Sequence, residues 1–403
     1  MIKNKNIAII GAGPSGLMAA EIIAAAGHQV SLYDQMPTFG RKFMMAGRGG
    51  LNLTHSEPLE KFITRYKEAS DWLEPHIKAY TPQDLRVWCE ELGQETFVGS
   101  SGRIFPRIMK ASPLLRAWIK RLDQLGVHYY VRHSWQGFDG EELIFSNAQK
   151  QIVKVRPDAT LLALGGASWP SLGSDGSWVD ILSRYGVEIS PLRPANCGFV
   201  VPWSKYLADR FAGTPLKSAT ITHQGISGSG EIMITKQGIE GGAVYYLAAS
   251  LREVIKAEGK AILYLDLRPA VSLLALTEKL QLRGKTSLSN YLRKVGFSSL
   301  AIALLHEIIP SEQLTKVTPN ILAGYLKALP ITIIRTADIA RAISSAGGIS
   351  RQSVDKNFML KAKSGVFVAG EMLDWEAPTG GYLLQACFST SVSAAKGVLD
   401  FMK

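Results

Sequence analysis

The chain has 403 residues, 46% hydrophobic and 20% charged, which is long enough for two or three domains and apolar enough to fill their cores. No run of 18 uninterrupted apolar residues occurs, so no transmembrane helix is expected. The formal net charge of +11 raises the question of an anionic partner.

The first predicted element is the strand Ile7-Ala8-Ile9-Ile10, which runs into Gly11-Ala12-Gly13-Pro14-Ser15-Gly16. A helical pattern over Leu17–Ala26 follows, stopped by Gly27, and a second apolar run, Val30–Tyr33, ends at Asp34. Strand, glycine turn, helix, strand and acid are the parts a dinucleotide site needs. Gly11 permits the turn, Gly13 lets the backbone approach a pyrophosphate, and Gly16 lets the helix pack close to the strand. N–H groups near Ser15 and Gly16, just after the candidate Pro14, favour phosphate charge, and Asp34 is placed to accept from a ribose hydroxyl. Gln35 follows directly and joins the candidate cofactor residues.

Residues 37–55 are rich in glycine and too irregular for a strand or an amphipathic helix. Arg41, Lys42 and Arg48 are suitable pyrophosphate partners, with Gly47, Gly49 and Asn52 close by. Residues 57–98 read as helical, with Trp72 and Trp88 as core anchors. After the loop Ser101–Pro106, Ser112 is the expected cap and Pro113 the first position of a helix reaching Gly126. Val127–Val131 reads as a strand. The stretch to Phe145 reads as a hairpin turning at Asp139-Gly140, and it carries the candidate Trp135.

Ala159–Leu164 is a second buried strand, ending at Gly165-Gly166. It has no third glycine and no following acid, so a second dinucleotide fingerprint is absent. NADH or NADPH would have to reach the redox centre directly as a transient donor; otherwise the substrate itself supplies electrons. Beyond Pro191, residues 195–268 read as short strands and 270–329 as helices. The expected organisation is an α/β Rossmann-type domain built from residues 1–190 and 331–403, interrupted by a β-domain at 191–269 and a helical domain at 270–330. The return stretch, Gly365–Asp374, places Gly370, Glu371 and Asp374 at a strand end. Gly380-Gly381-Tyr382-Leu383 opens the last helix, whose positive end suits an anionic reduced flavin.

Five blocks together resemble a known family, the bacterial YhiN/BaiN-like flavoproteins, which include aminoacetone-oxidase-like enzymes. The blocks are Gly11–Gly16, Gly47–Thr54, Gly102–Pro106, Gly165–Pro170, and Gly370–Asp374 with Thr379–Tyr382. The resemblance implies FAD, a two-segment Rossmann-type domain, an inserted antiparallel β-barrel and a helical domain. It implies that Gly11, Gly13, Ser15 and Gly16 hold the pyrophosphate and Asp34 the adenosine ribose. It also implies that Lys42, Gly47 and Asn52 face the cofactor, and that Gly370, Asp374, Gly381, Tyr382 and Leu383 line the ribityl chain and the flavin ring. Two departures stand out. Leu51 precedes Asn52 where many members carry a cysteine. Lys236 and Glu240 stand where many carry histidine and serine.

The first functional expectation is an FAD-dependent oxidoreductase moving hydride between flavin N5 and a small molecule, with Lys236 and Tyr382 as catalytic candidates and no metal. A second is reduction of a uridine in ribosomal RNA. It is motivated by residues 100–135, where seven basic residues face one acid, and by residues 276–296, where five face one. An amine oxidase using oxygen and a non-enzymatic flavin-binding protein are further alternatives. The isolated Cys89, Cys197 and Cys387, and a first strand beginning by Ile7, lead us to expect a reducing, cytoplasmic location.

Overall fold

The computed structural model describes residues 4–47 and 49–403. Contacts divide the chain into two units. One comprises residues up to Arg193 together with Ser344–Lys403, and the other is Pro194–Ile343.

The first unit is built on a five-stranded sheet. In chain order its elements are β1 (Asn6–Ile10), helix α1 (Pro14–Ala25), β2 (Gln29–Asp34), helix α2 (Arg41–Ala46), helix α3 (Ala111–Gln124), β3 (His128–Val131), β4 (Ala159–Leu162), β5 (Val366–Val368) and helix α4 (Tyr382–Phe401). The sheet order is β5-β4-β1-β2-β3, and every pairing is parallel. The central strand, β1, is buried from Ile7 to Ile10, which is why it reads as an apolar run without alternation. The chain therefore has a Rossmann-like α/β fold. α4 buries 14 of its 20 residues and lies against α1, where Ser391 Oγ donates to Ser15 O at 2.8 Å. A helix buried on nearly all sides needs small residues, and its Ser389–Ala395 run supplies them. Two three-stranded antiparallel sheets also belong to the unit.

The second unit holds a seven-stranded sheet whose pairings among the described strands are antiparallel. Its longest strands are Pro215–His223 and Ile226–Thr235. The helices between Leu273 and Lys327 share one hydrophobic core with that sheet. The boundary expected between a β-domain and a helical domain at 269/270 therefore does not separate two cores. The strand Leu329–Ile333 belongs to this same sheet, so the chain returns to the first unit at Ser344 and not at 331.

Two local expectations need correction. The stretch after Gly40 contains a short helix, α2, because Phe43 is fully buried between flanking glycines. α3 begins at Ala111 with Lys110 as its extended N-cap, so Pro113 occupies the third helical position and Ser112 is not the cap. Among the described residues no helix is long and apolar enough to cross a membrane.

Candidate functional site

Three glycines meet at the C-terminal end of β1, and each has a different surrounding. A Cβ at Gly11, where φ is +104°, would lie 2.3 Å from Ala163 O. A Cβ at Gly16 would lie 1.8 Å from Gly11 O. A Cβ at Gly13 would meet nothing within 4 Å. The protein's own packing thus explains the first and third glycines, while the middle one faces open space. Gly13 is also the N-cap of α1. It offers no side-chain cap, Pro14 follows at the first position, and no acid lies in the first turn. The N–H groups of Ser15 and Gly16 stand at this helix start, an arrangement suited to a phosphate oxygen.

Asp34 closes the site at the end of β2. Its Oδ2 accepts from Ala12 N–H at 2.7 Å and its Oδ1 from Met36 N–H at 2.7 Å. Burial raises its pKa, the two N–H bonds and the Arg41 charge offset this only in part, and the net shift is upward. Each carboxylate oxygen keeps a further lone pair for a ribose hydroxyl. Three other candidates carry buried polar atoms with no partner among the described residues: Arg41 Nε, Asn52 Oδ1 and Trp135 Nε1. Buried polar atoms are normally bonded, so these three, like six others elsewhere among the described residues, are free to take a further partner. Open space at Gly13, the carboxylate of Asp34 and these unpaired atoms fit the adenosine and pyrophosphate of FAD.

Other candidates are turned inward. Lys42 Nζ donates to Ser168 Oγ at 2.9 Å, Ser174 Oγ at 3.2 Å and Glu371 Oε2 at 3.0 Å. An ammonium has three donors, so all are used inside the protein and none is left for the expected pyrophosphate contact. Glu371 is buried, and its Oε1 accepts from Ser345 N–H at 2.8 Å. Gly165 and Gly166 make room for this network, since a Cβ at Gly166 would sit 2.3 Å from Ser345 Oγ. Trp169, beside them, is held at φ +59°, a strained conformation for a bulky residue. Ser15 Oγ donates to Cys387 O at 3.3 Å, so its hydroxyl faces α4 rather than the turn. Gln35 Nε2 donates to Gly173 O at 3.0 Å. Gly47 packs against Ala111, while Gly49 faces open space, and Arg48 lies outside the described residues.

The C-terminal turn is filled by protein. A Cβ at Gly381, at φ +96°, would lie 2.5 Å from Thr54 Cα, and a Cβ at Gly380 would meet the Tyr382 ring at 2.6 Å. Tyr382 is 4% exposed, and its hydroxyl donates to Glu57 Oε1 at 2.6 Å. Arg65 holds the same carboxylate through Nε at 2.9 Å and Nη2 at 2.7 Å. Burial raises Glu57, but the bonds from Arg65 and Tyr382 and the Arg65 charge outweigh it, and the net pKa is lowered. Burial, then the hydrogen bond to Glu57, raises the Tyr382 phenol well above its usual range, so it stays protonated. His55 stacks on Tyr382 with centroids 5.4 Å apart. Its Nδ1 accepts from Glu57 N–H at 3.1 Å, so Nε2 carries the proton and donates to Ser101 O at 3.0 Å. Gly370 packs against Ser15 Oγ, Asp374 Oδ2 accepts from Ser190 Oγ at 2.5 Å, and Leu383 is half-buried.

Lys236 lies on the second unit, exposed on the turn between Ile226–Thr235 and Gly238–Glu240. Sequence reasoning missed His55, Glu57 and Arg65, and also Ser168, Ser174 and Ser345. These residues meet partners up to 325 positions away, and no local spacing announces them. Among the described residues no cluster of three or more His, Cys, Asp or Glu could hold a metal.

The HI0933-like protein Rossmann domain family matches residues 5–397. The chain belongs to that family. It is 25% identical over 425 aligned residues to a 3-dehydro-bile acid delta(4,6)-reductase of Clostridium scindens, covering 98% of this chain and 99% of that protein. It is 23% identical to a ribosomal RNA dihydrouridine synthase of Haemophilus influenzae, covering 97% of each. The fold is shared with a 3-ketosteroid delta1-dehydrogenase structure from Sterolibacterium denitrificans, at a TM-score of 0.56 and 11% identity, over 98% of this chain and 99% of that one. With its family, the chain stands among the FAD-dependent oxidoreductases.

Proposed function

We propose that the protein is an FAD-dependent reductase that saturates a carbon–carbon double bond conjugated to a carbonyl in a small molecule, with NADH or NADPH as donor. One observation carries the reading. Two relatives that align with the chain from end to end bear names with very different substrates, yet both names describe the same bond change. A 4,6-unsaturated 3-oxo steroid and the uracil of uridine each present an alkene next to a carbonyl. When bound, FAD supplies the hydride that such an alkene accepts.

The chain's own residues bind and orient. Gly13 and the N–H groups of Ser15 and Gly16 hold the pyrophosphate, and Asp34 holds the ribose. Arg41, Asn52 and Trp135 complete their unpaired atoms on the cofactor. Tyr382 and Glu57 act by fixing the Gly380-Gly381 turn and the start of α4, because the phenol proton is already committed to Glu57. A donor that visits the redox centre and leaves needs no second dinucleotide fingerprint.

The first test is an anaerobic visible spectrum of the purified protein during addition of NADH, then NADPH. The flavin band near ~450 nm should bleach with one of them and return on adding a 3-oxo-4,6-diene steroid. A colourless protein that FAD cannot reconstitute overturns the cofactor. A band that neither nucleotide bleaches overturns the donor and directs the next test to amines with oxygen.

A second reading, reduction of a uridine in RNA, is favoured by one surface. Arg103, Lys110, Arg116 and Lys120 are exposed, with Ile108 53% and Met109 37% exposed among them. Arg107 and Arg121 belong to the same stretch but are paired, with Glu95 at 2.7 Å and Glu21 at 2.9 Å. Phosphate contacts through the exposed four make RNA affinity fall steeply with salt, and salt-insensitive or absent binding rules the reading out.

A further inference from the structure

We propose that the second unit carries a binding site for a phosphate group attached to a small organic moiety, built from residues outside the flavin site. The helices Lys205–Phe211, Leu288–Lys294 and Ser299–Ile308 contribute to a cleft of about 300 Å³. Its charge is set by Arg210 and Arg293. Arg210 stands 5.7 Å from the Tyr206 ring centroid and 5.8 Å from that of Phe211, so cation–π contact holds its guanidinium in place. Arg293 Nη1 donates to the neutral Asn290 Oδ1 at 2.8 Å. Among the described residues neither guanidinium has a carboxylate within ion-pair distance.

One acid, Glu307, also lines the cleft. Its oxygens already accept from Ser204, from the backbone N–H and from Oγ at 2.7 Å, where they secure the start of the helix Lys205–Phe211. The remaining polar groups are neutral hydroxyls and an imidazole, each able to donate. Ser289 Oγ is 3.1 Å from His306 Nε2. Ser299 opens a ten-residue helix in which the Ser298 hydroxyl takes the N–H of Ala301 at 3.1 Å. The N–H groups of Ser299 and Leu300 are those left at that helix end. Ile302 and Ala303 provide an apolar wall for the organic part.

Two guanidinium groups, serine hydroxyls and a helix start, converging from three helices, exceed what the two oxygens of a carboxylate can use. They match the three free oxygens of a phosphate ester. The volume limits the ligand to about the size of a mononucleotide, at the small end of ligand pockets. Lys279, Arg283, Lys285 and Lys294, from the basic run at 276–296, belong to the same unit. The phosphate is either that of a free ester or one in a nucleic acid strand, and the two sources are separable by experiment.

The test is calorimetric titration of the full-length, FAD-loaded protein with uridine 5′-monophosphate, uridine, inorganic phosphate and a short oligouridylate. The mononucleotide should bind at least about tenfold more tightly than uridine, and Arg210→Gln or Arg293→Gln should each weaken it about tenfold or more. Both variants should keep the flavin spectrum and melting temperature of the parent, since both side chains are exposed. Binding confined to the oligouridylate, with the same loss in both variants, also supports the site and assigns the phosphate to nucleic acid. Ser289→Asp, which adds a carboxylate to the cleft, should weaken every phosphate-bearing probe. Absent binding of all three phosphate-bearing probes, or affinity unchanged in these variants, overturns the proposal.

Discussion

The two glycine-rich turns of the first unit share a composition and differ in what surrounds them. At Gly11–Gly16 the outer glycines touch backbone, and the middle one faces space large enough for a ligand atom. At Gly380-Gly381 both positions are filled, one by the Thr54 backbone and the other by the Tyr382 ring. The difference teaches that glycine in a turn has two separable uses. One admits a foreign group, and the other admits the protein's own chain. Only the first is a statement about ligand binding, and a substitution can tell them apart.

The largest effect is expected where the protein itself fills the space. Gly381→Ala places a methyl group 2.5 Å from Thr54 Cα on a backbone at φ +96°, and Gly16→Ala places one 1.8 Å from Gly11 O. Each should lower unfolding stability by about 3 kcal/mol or more, because overpacking and backbone strain have no flexible neighbour to absorb them. Urea unfolding of the apoprotein reads this directly, and a loss below about 1 kcal/mol would break the contrast.

Gly13→Val should do the opposite. Its backbone, at φ −81° and ψ −175°, suits a β-branched residue, and its side chain enters empty space. We expect unfolding of the apoprotein to change by no more than about 1 kcal/mol, the cost of a poorer N-cap residue. FAD retention, measured as the ratio of flavin to protein absorbance after gel filtration, should fall to near zero. Retained flavin in this variant would show that Gly13 does not face the pyrophosphate.

The contrast also explains what can be read along the chain. The turn at Gly11–Gly16 is legible because its strand, helix and acid lie within 34 residues, and each obeys a local rule. The parallel strands are legible as apolar runs. Lys42 is different. Its type and place suggest a phosphate contact, but its partners Ser168, Ser174 and Glu371 come from distant segments that spacing cannot connect. The same holds for Tyr382, whose partner Glu57 lies 325 positions away. α2 escapes notice because a six-residue helix has too few turns to show a period, and a single buried Phe43 decides it.

A smaller effect is expected at Lys42 and Glu371, where breaking the pair tests whether the network is structural. Lys42→Met leaves a buried carboxylate that still accepts from Ser345 N–H, so we expect a loss of about 2–3 kcal/mol, below the range for fully buried pairs because Lys42 is partly exposed. Glu371→Gln alone should cost less, since an amide keeps one acceptor for Ser345. The double variant should cost clearly less than the sum of the two, as groups in one network couple. Strict additivity would mean that the two side chains act separately.

The last effect is a pH dependence located away from both turns. His76 lies on the helix Ser70–Ala79, and its Nδ1 is 2.8 Å from Ser393 Oγ on α4. Burial, with some help from the Arg351 charge, lowers its pKa from 6.5 to about 4. The unfolded chain therefore takes up a proton on His76 below pH 6.5, while the folded chain resists doing so until about pH 4. Below the unfolded value the unfolded state binds more protons, so stability falls as the pH drops through this window and is full above it. His76→Gln removes the titration but keeps a group able to bond Ser393. Its stability should fall less than that of the parent between pH 6.5 and 4, and the two curves should run parallel above pH 7. Parallel curves throughout would mean that another group carries the acid sensitivity of the α4 contact.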